Sequence, residues 1–483
     1  MQLLAIQRIL GLLLSLFSLT MLPPALLAWW FQDGALKSFL AAFLFLLATG
    51  LLLWMPVRKV KRDVRLRDGF LIVVGFWITL GLSGSVPLFL DEDLRLGLTD
   101  AVFESVSGLT TTGATVITGI DLLPPSILFY RQMLQWLGGM GIIVLAVAIL
   151  PMLGIGGMQL YRAETPGPVK DSKLTPRITE TAKALWYIYL SLTVVCALAY
   201  WLAGMSVFDA IGHSFSTVAI GGFSTHDASL GFFDNPVIEG IAVVFMTISG
   251  VNFALHFTAF RARSLKSYFG DAEFKTYISL LCAIAAVTSA YLYLSETFTN
   301  PFAALRYGIF QTVSISTTTG FTTSGYYVWP SFLPVLLLFA SFVGGCAGST
   351  GGGLKVIRVL LLVKQGFREI VRLIHPNAQV PIKVGGAFMP YRVVDAVWGF
   401  FAAYVATFSI MLLAIMATGL DQVTAFSAVA ACMNNLGPGL GQVGLHYGDI
   451  SDTAKWILSL AMLLGRLEIF TLLVILTPAF WRN

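Results

Sequence analysis

Residues Phe103 to Gly113 read FESVSGLTTTG, and three later stretches follow the same plan: GHSFSTVAIGG from Gly212 to Gly222, FQTVSISTTTG from Phe310 to Gly320, and SAVAACMNNLG from Ser427 to Gly437. Each ends a half-length apolar segment of about 12 to 14 residues and closes on a glycine. A helix of that length covers roughly 20 Å and cannot cross a hydrocarbon core of about 30 Å, so the chain should enter and return. The closing glycines recur at intervals of 109, 98 and 117 residues, room for one span, a re-entrant segment, a second span and a linker. Four such units can close a ring.

Outward from these stretches, the flanking spans are expected at Phe70 to Leu90 with Ile127 to Leu153, Ala184 to Ala203 with Val237 to Phe260, Tyr277 to Leu294 with Ser331 to Leu362, and Val393 to Leu420 with Ala454 to Ala479. Two further helices open the chain, Ile9 to Phe31, bent by Pro23 and Pro24, and Leu36 to Met55. The first is too long for a signal peptide and lacks a cleavage site, so it reads as retained. The expected fold is an all-α polytopic membrane protein, with four pseudo-symmetric units of span, re-entrant half-helix and span around a central pore, plus two N-terminal helices. The divisions fall at 1–67, 68–180, 181–272, 273–390 and 391–483.

Composition agrees: of 483 residues 57% are hydrophobic and 11% charged, against about 45–50% apolar in soluble domains. Charge is placed by side. The stretches Arg58 to Arg67, Arg162 to Lys183, Arg261 to Lys275 and Lys355 to Arg392 hold 22 of the 30 Lys and Arg. The positive-inside rule makes these linkers cytoplasmic, and with them both termini. The opposite loops carry Asp91, Glu92, Asp93, Asp100, Asp121, Asp234, Glu296, Asp449 and Asp452, and an acidic mouth concentrates cations. The basic linkers are accounted for by topology, so no nucleic acid is expected as a partner. They could hold a regulatory protein or anionic lipid head groups. Cys196, Cys282, Cys346 and Cys432 show neither metal nor disulfide spacing.

Irregular backbone is tolerated at membrane depth only where it is buried in protein or lines a water-filled cavity, so re-entrant loops point to a pore. A dehydrating cation needs replacement oxygens, and a ring of carbonyls supplies them. Glycine turns neighbouring carbonyls inward at positive φ. Thr110, Thr111, Thr112 and Gly113 suit this need, as do Thr317, Thr318, Thr319 and Gly320. Ala219, Ile220, Gly221 and Gly222, and Asn434, Asn435, Leu436 and Gly437, are less regular and would act through main-chain oxygens.

A second break lies inside the third unit: Gly344, Gly345, Cys346, Ala347, Gly348, Ser349, Thr350, Gly351, Gly352 and Gly353 interrupt its second span. At about 1 kcal/mol per glycine a regular helix should not survive. Lys355 follows without the spacing of a phosphate loop. Arg466, mid-span, should face the pore, because a charge facing lipid is costly. Glu468, two residues on, should point to another face.

With loops reading TTTGATV, AIGGFST, TTTGFTT and NNLGPGLG, nearly the whole chain resembles the Trk/Ktr/HKT superfamily of K⁺ transporters. The two extra N-terminal helices and the Gly-rich break make it most similar to the bacterial TrkH family. The resemblance implies potassium-channel-like M1-P-M2 units and a K⁺ filter in the inner membrane. It also implies a homodimer, and gating by a cytosolic nucleotide-binding subunit of the TrkA type. It makes Gly344–Gly353 the gating loop beneath the filter, with a simple hinge as the competing reading. Arg466 becomes an electrostatic barrier, with a structural arginine bonded to loop carbonyls near Gly348 as its competitor. In the superfamily, glycine at the position of Gly113 goes with potassium and serine with sodium.

Two other classes compete with this reading. A transporter coupling K⁺ to H⁺ or Na⁺ should carry several intramembrane carboxylates, and Glu468 is the best candidate. An enzyme should show clustered catalytic residues, and none is evident.

Overall fold

The computed structural model describes residues 1–60, 66–141, 178–330 and 332–482. They are helical almost throughout; the strands among them are one two-residue pair, Lys383–Val384 with Ala387–Phe388. Among the described residues six helices are long and apolar enough to cross a membrane: Leu3–Phe31, Leu36–Val57, Arg67–Leu90, Lys183–Leu202, Ala272–Leu294 and Tyr391–Met416. Their outward faces carry exposed Leu52, Leu202, Leu294 and Leu413, the surface that hydrocarbon requires. The all-α polytopic class is therefore observed.

The two N-terminal helices touch backbone to backbone. A Cβ on Gly50 would collide with the Ser15 backbone, and one on Gly11 with that of Trp54, the close approach that small residues permit between membrane helices. A 3-10 turn at Leu19–Met21 precedes Pro23 and Pro24, which sit in the first turn of Leu22–Phe31, where a missing N–H costs nothing.

Four half-length helices stand between the spans: Leu98–Leu109, Val207–Ala219, Pro301–Ser316 and Gln422–Met433. The segments behind them depart from the expected pattern. Sequence reading breaks only the third unit's second span, and that break is found, between Phe332–Val343 and Val356–Ile374. Two spans expected to be continuous are broken as well. Pro236–Ser249 meets Phe253–Ala262 at 93°, and Asp452–Arg466 meets Phe470–Leu476 at 114°. At the first, the Asn252 side chain accepts from the Ala254 N–H and starts a new helix. At the second, Glu468 and Ile469 adopt φ of 54° and 50°, which no helix continues through. The first unit's helix Pro125–Trp136 runs into a π-turn, Leu137–Gly141. The rest of its expected span to Leu153, and the linker up to Arg177, lie outside the described residues.

Candidate pore and its inner closure

The four half-length helices end in one geometry. The N–H groups of Thr112, Gly221, Thr319 and Leu436 donate to the carbonyls of Ser107, Ser216, Ser314 and Ala431, five residues back, at 2.9, 2.8, 2.8 and 2.8 Å. The residue before each, Thr111, Ile220, Thr318 or Asn435, donates three residues back and has φ of 55°, 56°, 70° or 54°. This is the paired hydrogen bonding of a Schellman terminus. Three of the four left-handed residues are β-branched, at a cost of about 1–2 kcal/mol each, and strain of that kind collects at functional sites.

The closing glycines then form a cycle. A Cβ added to Gly113 would run into the carbonyl oxygen of Gly221; to Gly222, that of Thr319; to Gly320, that of Leu436; and to Gly437, that of Thr112. Each loop therefore abuts the residue before the glycine of the next, in chain order, and the fourth returns to the first. The sixteen filter candidates are brought together: Thr110, Ala219, Thr317 and Asn434 at the helix ends, the left-handed residues next, then Thr112, Gly221, Thr319 and Leu436, then the glycines. A bundle with scattered surface turns would show no such cycle.

The loops are held differently. In the first, the Thr110 and Thr112 hydroxyls share a hydrogen bond of 2.7 Å, and in the third Thr317 and Thr319 repeat it at 2.8 Å. The second has no such pair; Gln135 Nε2 donates to the Gly221 carbonyl at 2.6 Å while its Oε1 accepts from the Phe223 N–H at 3.0 Å. In the fourth, Asn435 Nδ2 donates to Thr112 Oγ1 and the Met462 carbonyl, both at 3.0 Å, and Tyr404 donates to Asn434 Oδ1 at 2.6 Å. His213, buried, bonds Ser224 Oγ through its ring at 2.8 Å, a structural histidine.

Behind the first loop lies a buried ion pair that sequence reading missed. Arg131 Nε donates to Glu104 Oε1 at 2.8 Å, and Glu104 Oε2 accepts from the Val116 N–H at 3.0 Å. Both side chains are at most 1% exposed. Glu104 sits inside the quoted FESVSG stretch, and a carboxylate with an arginine and two glutamines on the next apolar helix was the available signal. Glu468 is thus not the one deep carboxylate; Glu273, also buried, accepts from the N–H groups of Ala347 at 2.7 Å and Ile357 at 3.1 Å. Glu468 itself pairs with Arg358 at 2.5 Å; the helix Asp452–Arg466 ends before it, so the continuous helix assumed for its facing is absent.

Gly344 to Gly353 form a loop folded against the inner ends of the half-length helices. Gly344, Gly348 and Gly353 have φ of 69°, 73° and 72°. The Cys346 N–H donates to the Gly250 carbonyl at 2.8 Å and the Gly348 carbonyl accepts from the Phe253 N–H at 3.0 Å, tying the loop to the break in the second unit. Gly345 packs on the same Gly250 carbonyl, and Ser349 Oγ donates to the Cys346 carbonyl. Thr350 Oγ1 donates to the Val218 carbonyl at 3.0 Å, the Gly352 N–H to Thr318 Oγ1 at 2.7 Å, and the Gly353 N–H to the Asn434 carbonyl at 3.2 Å. Gly351 packs against the Thr317 carbonyl. Arg466 completes the closure: it donates to Thr111 Oγ1 at 3.2 Å, the Thr350 carbonyl at 3.4 Å, and the Gly138 and Gly139 carbonyls of the π-turn. Its contact with the loop at the Thr350 carbonyl, two residues from Gly348, is of the kind the structural reading of this arginine expects.

On the other side of the ring the four glycines line one vestibule of about 320 Å³, with Arg131, His226 and Asp227 on its wall. His226 Nδ1 meets Asp121 Oδ1 at 2.5 Å and its Nε2 lies 3.6 Å from Asp209, clasping the first loop to the second. Partial burial opposes the charged imidazole, but the Asp209 and Asp121 carboxylates outweigh it and hold the His226 pKa above the usual histidine value. Burial likewise opposes the Asp121 carboxylate, but the hydrogen bonds it accepts from His226 and from the Asp227 N–H hold its pKa below the usual one.

Residues 35–482 match the TrkH family model, described as a cation transport protein. The chain is 62% identical over 485 residues to the Trk system potassium uptake protein TrkH of Vibrio parahaemolyticus, with 100% of both covered. It is 57% identical to the protein of that name in Escherichia coli strain K12, with 99% of both covered, and 41% identical to TrkG of the same strain, with 98% of this chain and 97% of TrkG covered. The crystal structure of the potassium transporter TrkH from V. parahaemolyticus superposes with a TM-score of 0.91 at 59% identity, over 100% of each chain. The chain belongs to the TrkH family of cation transport proteins, a family of transporters rather than enzymes.

Proposed function

We propose that this chain takes up potassium ions across the bacterial inner membrane, through a filter whose ligands are the backbone oxygens of Thr110–Gly113, Ala219–Gly222, Thr317–Gly320 and Asn434–Gly437. The closed cycle of glycines and carbonyls carries the proposal. A monovalent cation gives up its water only where several oxygens converge, and four loops meeting in chain order make one such place. The half-helix carboxyl ends add negative potential there. The side of the ring that carries the acidic loops is outside, and both termini are cytoplasmic. The Gly344–Gly353 loop with Arg466 is the gate, opened by a cytosolic nucleotide-binding subunit of the TrkA type; the chain works as a homodimer among anionic lipids. Uncoupled conduction is favoured over coupling to H⁺ or Na⁺, because the buried carboxylates are already engaged, Glu104 and Glu468 by Arg131 and Arg358 and Glu273 by two backbone N–H groups.

The test is ion flux in liposomes under imposed K⁺ and Na⁺ gradients, with Gly113→Ser beside the unchanged protein. Gly113 has φ of 79° and no room for a Cβ beside the Gly221 carbonyl, so serine should displace that oxygen and lower the K⁺/Na⁺ preference about tenfold or more, the equivalent of about 1.4 kcal/mol. Equal preference in the two proteins would refute the assignment of the ring as filter.

A further inference from the structure

We propose that Gln311 is a positioning residue for the third loop: its buried amide holds the strand after Gly320 through ordered water, and the K⁺ preference of the ring depends on that hold. The inference rests on the reading of the ring as a potassium filter. The four units place four different residues at one register. Nine positions before the closing glycines stand Glu104, His213, Gln311 and Ala428, all of them buried. In the first unit Glu104 accepts from Thr115 Oγ1 and from the Val116 N–H, both at 3.0 Å, two and three residues past Gly113. In the second, His213 bonds Ser224 Oγ at 2.8 Å, two residues past Gly222. In the fourth, Ala428 has no group to bond with and Ser427 takes over, accepting from the Leu440 N–H at 2.8 Å, three residues past Gly437. Three units therefore tie the strand beyond the glycine directly to their own half-length helix.

The third unit departs from this pattern. Ser314 Oγ donates to the Phe321 carbonyl at 2.6 Å, one residue past Gly320, but among the described residues neither Nε2 nor Oε1 of Gln311 has a hydrogen-bond partner. The strand residues that match Thr115 and Val116 are Thr322 and Thr323, and the hydroxyls of Thr323 and Ser324 are also buried and unpartnered. Thr322 is held from the second unit, its N–H donating to Ser229 Oγ at 3.2 Å and its carbonyl accepting from the Gly231 N–H at 3.1 Å. A buried amide that bonds nothing bears its full desolvation cost, and ordered water is the usual remedy where several such groups lie together. The half-helix ends and the turns after them are alike in all four units, so the shared register puts Gln311 behind Thr322 and Thr323. Water bonded to its amide and to the Thr323 hydroxyl completes the tie that the other units make directly. Thr322, Thr323 and Ser324 also line the vestibule, the source of that water.

The K⁺/Na⁺ permeability ratio of the purified protein in planar bilayers, recorded beside its thermal midpoint in detergent, tests this. Gln311→Leu keeps much of the side chain's bulk and removes both polar atoms; it should lower the ratio about fivefold, the equivalent of one hydrogen bond at about 1 kcal/mol. Gln311→Ala, which copies the fourth unit, should repeat the result should the leucine variant not fold. Thr323→Val removes the other end of the bridge and should lower the ratio as far, and the double variant Gln311→Leu with Thr323→Val should lower it no further than either alone. A ratio unchanged in the leucine and alanine variants, whatever their midpoints, would overturn the proposal. Losses that add in full in the double variant would overturn it too, because the two side chains would then act apart. An unchanged protein that shows no preference for K⁺ would instead overturn the filter reading beneath it.

Discussion

The first and third loops brace themselves; the second and fourth are braced by other helices. In TTTG the first and third threonines bond each other across the turn, 2.7 and 2.8 Å, within four residues of sequence. The turn at Ile220 and Gly221 has no hydroxyl and is held by Gln135, 86 positions away; the turn at Asn434 and Asn435 is held by Tyr404, Ser341 and Met462. The backbone is nevertheless the same in all four. The geometry is thus a property of the ring, and side chains only decide where its support comes from. Loss of support should cost least where it is a single neutral hydrogen bond and most where it leaves buried polar groups unmatched.

Four substitutions sharpen that contrast. The largest effect is expected from Glu104→Ala, which leaves the buried Arg131 charge without its carboxylate and the Val116 N–H without its acceptor. Breaking a buried pair this way costs about 3–5 kcal/mol, read as a fall in thermal midpoint in detergent with loss of flux. Next is Gln135→Leu, which strands the Phe223 N–H and removes a donor from the Gly221 carbonyl, about 2–4 kcal/mol. Thr319→Val deletes one self-brace in the third loop and should cost about 1 kcal/mol. If Thr319→Val proved as damaging as Gln135→Leu, the division into self-braced and borrowed loops would fail.

The smallest effect concerns the outer clasp of His226 on Asp121. His226 has a raised pKa, so its contribution is complete below the unfolded-state value and is lost as pH rises through the folded one. Asp121 has a lowered pKa, so its contribution is complete above the unfolded-state value and is lost as pH falls through the folded one. The midpoint difference between the unchanged protein and His226→Ala should therefore be greatest between those limits and shrink on both sides. A difference that does not vary with pH would assign the effect to the stacking of His226 on Phe232 at 3.5 Å.

Much of the ring could be read from sequence because its signals are local. Helices of 12 to 16 residues are too short to cross, and Gly113, Gly222, Gly320 and Gly437 mark backbone that other residues resist. The Gly344–Gly353 break was legible for the same reason. The kinks at Ser249–Asn252 and Leu467–Ile469 were not, since one glycine or one left-handed glutamate is a weak local signal and the fold imposes the bend. Nor were Gln135, Arg131 and Tyr404 assigned, because their partners lie 86, 27 and 30 residues away. The contact of Arg466 with Thr111 spans 355 positions, beyond any pattern along the chain.

All four quadrants come from one polypeptide, and this changes how the opening can diversify. In an assembly of four identical copies every substitution strikes four times and preserves the rotational symmetry. Here it strikes once, so the second loop can carry Ile220 where the fourth carries Asn435, and one quadrant can change while its neighbours do not. Lopsidedness of this sort gives selection single steps where a symmetric channel offers only fourfold ones.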